Sequence, residues 1–316
     1  MMGMAADRAG PRHELLVGAE QEGIRLDRFV AAGGLRVSRS QVRHLIDAGR
    51  VTVQGARRKP GYVVRAGDRV EVEVLVAPPA EAAPEDLPLR ILYEDAVLVA
   101  IDKAPGMVVH PAPGRWQGTL VNALLHRWGP LPARDDARPG IVHRLDRETS
   151  GVMVIARTLA ALEHLGRQFH DRTVAKRYLA VVHGVPREDE LVVDAPIGRH
   201  PVERKKMSTR ARAGRPALTR ARVLERFASA ALVEAVPETG RTHQIRVHLA
   251  ARGHPILGDR LYGGARAAHP AIGRHALHAA ALTITHPERN ERLTVRAPLW
   301  PDMAALVGAL RAGRLP

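Results

Sequence analysis

The segment Ala77-Pro-Pro-Ala-Glu-Ala-Ala-Pro-Glu-Asp86 constrains the chain most. Its three prolines among alanines and acids leave no apolar period that a helix or strand can continue. It reads as a semi-extended linker. The 316 residues therefore divide unequally, into a tail at 1–14, a small basic domain at 15–76, the linker at 77–86 and a large domain at 87–316. The large domain, about 230 residues, is long enough to bury a core of its own.

Within the small domain, Leu26, Phe29 and Val30 form a short apolar stripe that stops at Gly33-Gly34. Ser38 is placed to cap a second helix that runs to Gly49 and buries Val42, Leu45 and Ile46. Val51-Thr52-Val53 and the alternating residues 70–74 read as half-buried strands joined through Gln54-Gly55. Arg36, Arg39 and Arg43 recur at three and four residues and so share the exposed face of the helix, near Arg50 and Arg57-Arg58-Lys59. One continuous cationic patch results, with a merely solvated basic face as the plainer alternative.

Lys and Arg together number 48 against 33 Asp and Glu, a formal charge of +15. An excess of this size favours a polyanionic partner, because each neutralised phosphate releases counterions. RNA or DNA leads, and a basic surface that binds nothing is the alternative. The chain has no cysteine, which excludes disulfides, thiolate chemistry and Cys-ligated zinc and fits a reducing cytoplasm. No apolar stretch approaches the roughly 18–20 residues of a membrane span, and residues 1–14 lack the apolar centre of a signal peptide. A cytoplasmic protein with no membrane partner is expected.

The large domain mixes apolar runs at 97–101, 152–155 and 179–182 with helical periods at 159–169 and 303–310. The last helix opens on Pro301, a first-turn position, and sets Met303, Leu306, Val307 and Leu310 on one face. The irregular order of strands and helices indicates an α+β fold and no repeating βαβ unit.

Three stretches carry chemistry. In Gly140-Ile-Val-His-Arg-Leu-Asp-Arg-Glu-Thr-Ser-Gly151, Asp146 is crowded by His143, Arg144 and Arg147, an electropositive setting that favours an ionised nucleophile or base. A structural ion pair at a turn is the alternative. In Lys176-Arg-Tyr178, a tyrosine enters an otherwise apolar strand, either to stack on a base and move a proton or simply to pack. In Glu238-Thr-Gly-Arg-Thr-His-Gln-Ile-Arg246, continuing to Asp259, Thr242 can cap a helix on which Arg246 points back at a carboxylate, supplying the partner of Asp146. A histidine metal site is disfavoured. His243 and His248 are five residues apart, about 140° around a helix.

In this order the three stretches resemble the RluA/RluD-type pseudouridine synthases, nearest to the RluD branch through Pro196-Ile-Gly-Arg-His-Pro201. The small domain resembles the S4 RNA-binding module through Arg25-Leu-Asp27, Ser38-Arg-Ser40 and Leu45-Ile-Asp-Ala-Gly-Arg-Val-Thr-Val-Gln-Gly55. The resemblance implies a small S4-like α/β domain followed by a catalytic domain built on a mixed, largely antiparallel sheet with flanking helices. It implies that Asp146 is the catalytic aspartate, Tyr178 the active-site tyrosine and Arg246 the arginine paired with Asp146. Arg144, with His143 and Arg241, is implied to position a flipped nucleotide, and Arg36, Arg39, Arg43, Arg50, Arg57, Arg58 and Lys59 to bind RNA. The implied substrate is large-subunit (23S) ribosomal RNA, with uridines of the helix 69 hairpin as targets. No cofactor, no metal and a monomer are expected. The reaction breaks C1′–N1, turns the uracil and rejoins it through C5, so one carboxylate suffices, acting at C1′, at the C2′ proton or at C6. A non-catalytic S4-type ribosome-binding factor is the rival reading.

Overall fold

The computed structural model describes residues 12–35, 39–73, 82–111, 116–133, 138–203, 206–211 and 213–314, which fall into two compact units, residues 1–80 and 81–316. Arg36, the expected cap Ser38 and residues 77–81 of the linker lie outside the described residues, and of Arg39 only the backbone is described.

In the small unit, helices α1 (Leu26–Ala32) and α2 (Arg39–Asp47) accompany a four-stranded antiparallel sheet. Its order is β1 (Arg12–Leu16), β4 (Arg69–Glu73), β2 (Val51–Val53), β3 (Ala56–Arg57). The apolar positions expected of both helices, Leu26, Phe29, Val30, Val42, Leu45 and Ile46, join Val51, Val53, Val70 and Val72 in one core. Arg43, Arg57, Arg58 and Lys59 are exposed, whereas Arg50 donates to Glu73 at 2.9 Å. Gly49 ends α2 with φ 72°, and a Cβ there would collide with the guanidinium of Arg57.

Two expectations are corrected here. Gln54-Gly55 turns β2 into β3, not into the strand at 70–74; both turn residues have positive φ, 51° and 74°, whose twist matches that of the flanking strands. The strand expected at 70–74 is described as far as Glu73, as β4, with Val74 outside the described residues, and it pairs instead with the other side of β2 and with β1. Residues 12–14, expected in the tail, belong instead to β1, which pairs from Arg12↔Glu73 to Leu16↔Arg69. β1 lies at the sheet edge with residues exposed at alternate positions, so its apolar period is faint.

The large unit is built on a nine-stranded sheet. Its order is β5 (Arg90–Glu94), β6 (Leu98–Lys103), β7 (Ser150–Ala156), β14 (Leu277–Thr285), β8 (Ala175–His183), β13 (Ala230–Pro237), β12 (Leu218–Arg226), β9 (Glu190–Asp194). A further strand, β15 (Arg292–Arg296), also pairs with β14. Among the described residues every pairing in this sheet is antiparallel except that of β7 with β14. A separate short ribbon joins β10 (Gly198–Arg199) to β11 (Met207–Ser208).

β6 and β7 are buried along their whole length because both faces are covered. Leu98, Ala100, Val152 and Val154 pack with Leu162 and Leu165 of α4 (Leu159–His170). Val99, Ile101, Met153 and Ile155 pack with Leu120 and Leu124 of α3 (Leu120–Trp128). Strands covered on both faces read as continuous apolar runs, as the sequence does here. Helices α5 (Gln244–Ala251) and α6 (Pro301–Arg311) share a core with β8 and β13, and Met303, Leu306, Val307 and Leu310 are its α6 side. The fold is α+β with a largely antiparallel sheet, as expected.

Candidate active site

Asp146 lies on the loop that leads into β7, and its carbonyl accepts from the Thr149 N–H at 3.1 Å. Side-chain bonds fasten this loop further. Lys103 Nζ donates to the Arg147 carbonyl (3.0 Å) and Arg274 Nη1 to the Glu148 carbonyl (2.9 Å). Thr149 Oγ1 bonds His275 Nε2 (2.8 Å), and Ser150 Oγ bonds His278 Nδ1 (2.9 Å). Lys103 is 1% exposed and also donates to the carbonyls of Ala104 and Met107, so its three ammonium donors are matched. Arg274 is held in turn by a two-bond pair with Asp302 (2.7 and 2.9 Å). The parallel register His278↔Ser150 brings the starts of β7 and β14 together, which lets residues 274–278 brace the Asp146 loop.

Arg246 is the third residue of α5 and is buried. Its Nη1 donates to Asp146 Oδ2 at 3.0 Å, the pairing expected from the sequence. Its Nε and Nη2 donate to Asp259 at 2.7 and 2.9 Å, so one guanidinium is shared between two carboxylates. Burial pushes the Asp259 carboxyl up, but the hydrogen bonds and charge of Arg246 outweigh it and hold that carboxyl below the ordinary range. The Arg246 guanidinium also lies 5.0 Å from the centre of the Tyr262 ring. Tyr262 Oη is 2.7 Å from His243 Nδ1, and His243 Nε2 lies 3.8 Å from Asp146 Oδ2, beyond hydrogen-bond distance.

The start of α5 differs from expectation. Thr242 is exposed and caps nothing; His243 is the N-cap residue, with φ 57° and ψ 20° and no capping side-chain bond. Gln244 does the work of a cap from inside the helix. Its Oε1 accepts from Thr239 Oγ1 (2.7 Å) and from the Arg241 N–H (3.0 Å), and its Nε2 donates to the Leu218 carbonyl (2.9 Å) and Thr219 Oγ1 (3.0 Å). His248 turns inward, one ring nitrogen on Thr219 Oγ1 (2.9 Å) and the other on the Ala195 carbonyl (3.0 Å), so it shares no ligand position with His243.

These groups open on a cleft of about 670 Å³. Asp146 is the one carboxylate among its described lining residues, and Arg138, Arg144, Arg172, Lys176, Arg241 and Arg246 are its cations. Arg144 is exposed, and no hydrogen bond or ion pair holds it among the described residues. Arg241 Nε donates to the Pro216 carbonyl at 3.1 Å. Tyr178 and Lys176 sit two residues apart on β8, so both point into the cleft. Burial and the charge of Asp146 push the Tyr178 hydroxyl well above its ordinary range, keeping it protonated. His143 lines the cleft but is committed to the fold: it stacks on Phe169 at 4.5 Å, and its Nε2 accepts the Val154 N–H at 3.0 Å. Sequence reasoning quoted Asp259 without a role and passed over Lys103, Tyr262, Arg274 and His275, whose parts depend on contacts between distant loops.

Residues 97–251 match the model of the family described as RNA pseudouridylate synthase, and residues 24–70 match that of the S4 domain. A Bacillus subtilis protein named "Uncharacterized RNA pseudouridine synthase YlyB" is 42% identical over 94% of this chain and 98% of its own length. A Nitrosomonas europaea protein named "Ribosomal large subunit pseudouridine synthase D" is 43% identical over 94% of this chain and 88% of its own. The solved structure of human RNA Pseudouridylate Synthase Domain Containing 1 superposes with a TM-score of 0.59 at 30% identity, covering 73% of this chain and 98% of that one. With sequence in agreement over 94% of its length and fold over 73%, the chain belongs to the RNA pseudouridylate synthase family and is an RNA pseudouridine synthase that carries an S4 domain.

Proposed function

We propose that this enzyme isomerises uridines of large-subunit ribosomal RNA to pseudouridine, those of the helix 69 hairpin in particular, and that Asp146 is the group that acts on the flipped-out nucleotide. One observation carries the reading: among the described lining residues Asp146 is the lone carboxylate in a cleft that also presents six Arg and Lys side chains, and Arg246 pairs with it at 3.0 Å. A lone carboxylate suits a rearrangement in which nothing is oxidised and no water is consumed, whereas glycoside hydrolysis uses two. The cationic walls suit a phosphodiester chain. The names of relatives such as the Nitrosomonas protein point to the ribosomal large subunit as substrate.

In this reading Arg246 orients Asp146, and Tyr178 stacks against the extruded base. Arg144, exposed and without a protein partner among the described residues, fills the gap left in the RNA, with Arg241 and His143 shaping the wall beside it. Arg43, Arg57, Arg58 and Lys59 of the S4 unit hold RNA phosphates without reading bases, with Arg50 as their neighbour. Mapping pseudouridine in ribosomal RNA from cells lacking the protein tests the substrate: helix 69 uridines should stay unmodified and return on complementation. Asp146→Asn should abolish the return while leaving RNA affinity within a few-fold, since it removes a charge and almost no volume. Full restoration of the modification by the variant would remove Asp146 from its role.

A further inference from the structure

We propose that His243 contacts the substrate, its Nε2–H donating a hydrogen bond to a carbonyl oxygen of the extruded uracil while that ring carries negative charge. The proposal rests on the reading of the cleft given above.

The backbone supplies the first observation. His243 adopts the left-handed conformation at φ 57°, ψ 20°, uncommon for a residue with a Cβ. Residues held in this way cluster where a side chain must be aimed, and the side chain of His243 lines the cleft. The second observation fixes its tautomer. The Met207 N–H donates to Tyr262 Oη at 3.0 Å and occupies one lone pair of that oxygen. The hydroxyl's own proton has His243 Nδ1, 2.7 Å away, as its acceptor among the described residues. We assign Nδ1 as the acceptor of that proton, which puts the ring proton on Nε2.

Among the described residues that N–H has no hydrogen-bond partner: Asp146 Oδ2, at 3.8 Å, is too far for one, and the imidazole lines the cleft beside that carboxylate. The ring stays neutral: burial outweighs the pull of Asp146 and Asp259, and Arg246 and Arg144 add to it, leaving the imidazole below its ordinary range. A neutral donor beside Asp146 hydrogen-bonds an anion without pairing with the carboxylate that is to react.

The chemistry calls for such a donor by every route open to Asp146. If the carboxylate attacks C1′ or takes the C2′ proton, the C1′–N1 bond breaks with its electron pair on the uracil, and the charge spreads to the carbonyl oxygens. If it attacks C6, the C5=C6 pair moves onto the C4 carbonyl oxygen. In each case the charge is returned when C5 bonds to C1′, C5 gives up a proton as N1 gains one, and Asp146 is regenerated by cleavage of the bond it made at C1′ or C6 or by return of the C2′ proton. A fixed N–H beside a developing oxyanion stabilises it without itself being consumed.

The test uses the full-length enzyme and a hairpin transcript carrying the uridine identified by the mapping above, or the same transcript with that uridine as 2-thiouridine or 4-thiouridine. His243→Ala and His243→Asn are compared with wild type, asparagine being a residue that accepts the left-handed backbone but is too short to reach the substrate. Both variants should lose about 10²–10³-fold in single-turnover rate, with RNA affinity within a few-fold. One of the two thio substitutions should slow the wild type and leave the variants' residual rate unchanged, because sulfur is a poor acceptor. Near-wild-type rates in either variant, a loss carried equally by RNA affinity, or equal thio effects in wild type and variants would overturn the proposal. A wild-type enzyme that leaves the unsubstituted transcript unchanged would overturn the reading of the site instead.

Discussion

Arg246 divides one guanidinium between two carboxylates, and the unequal division says what each does. Asp259 takes two short bonds, lies almost wholly buried and so fixes the plane of the guanidinium, while Asp146 receives a single bond and keeps a quarter of its side chain exposed. Asp259→Asn preserves the shape but presents an amide N–H to a buried cation. It should cost about 3 kcal/mol of stability, as breaking a buried pair does, and slow the reaction by misorienting Asp146. Urea unfolding and single-turnover rates measure the two effects; unchanged values in both would mean that Asp259 does not anchor Arg246. Asp146 and Arg246, 100 residues apart, were legible in the sequence as members of recurring motifs. Asp259, Tyr262 and His275 were not, because an aspartate in a Gly-Asp turn or a histidine before a strand acquires a part only when the fold brings its loop to the site.

At the level of elements, the loop before β7 carries His143, whose acceptance of the Val154 N–H requires a neutral ring, and is braced by His275 on Thr149 Oγ1. Burial, reinforced by Lys176, drives the His143 imidazole down to about 3, and burial, reinforced by Arg246, does the same to His275. The unfolded chain protonates both near 6.5. Between about pH 6.5 and 3 it thus binds protons that the folded chain refuses, and stability contributed at these rings, complete above 6.5, is lost as pH falls. His143→Phe should keep the stack on Phe169 and remove one proton from the slope of unfolding free energy against pH in that window. An unaltered slope in the variant would show that His143 titrates normally. The same elements show what a sequence can reveal. β6, β7, α4 and α6 were readable because burial on both strand faces, or a single apolar helix stripe, leaves an unmistakable period. α3 was not read, since its capping box closes with Asn122 at the third position in place of the usual Glu or Gln. β12 was missed because Arg220, Arg222 and Arg226 stand on its exposed face and resemble a solvated loop.

For the molecule as a whole, the two units have separate cores, and the site belongs entirely to the second. Deleting residues 1–80 should therefore leave a folded enzyme that still holds Asp146, Tyr178 and Arg246 but has lost the S4 cations. Its affinity for long ribosomal RNA should fall, and the slope of log affinity against log salt should become shallower by roughly 0.7–0.9 for each phosphate contact removed. Its rate at saturating RNA should fall much less. Equal slopes for the two proteins would mean that the small unit does not touch the substrate. The single parallel pairing among the described strands of the large sheet has a further consequence. The two strands that bear and brace the Asp146 loop start side by side in the middle of the sheet, while the β14–β15 turn lies at the opposite end of β14 from those starts. A lineage can lengthen that turn, acquire a preference for a different RNA, and inherit its chemistry unaltered.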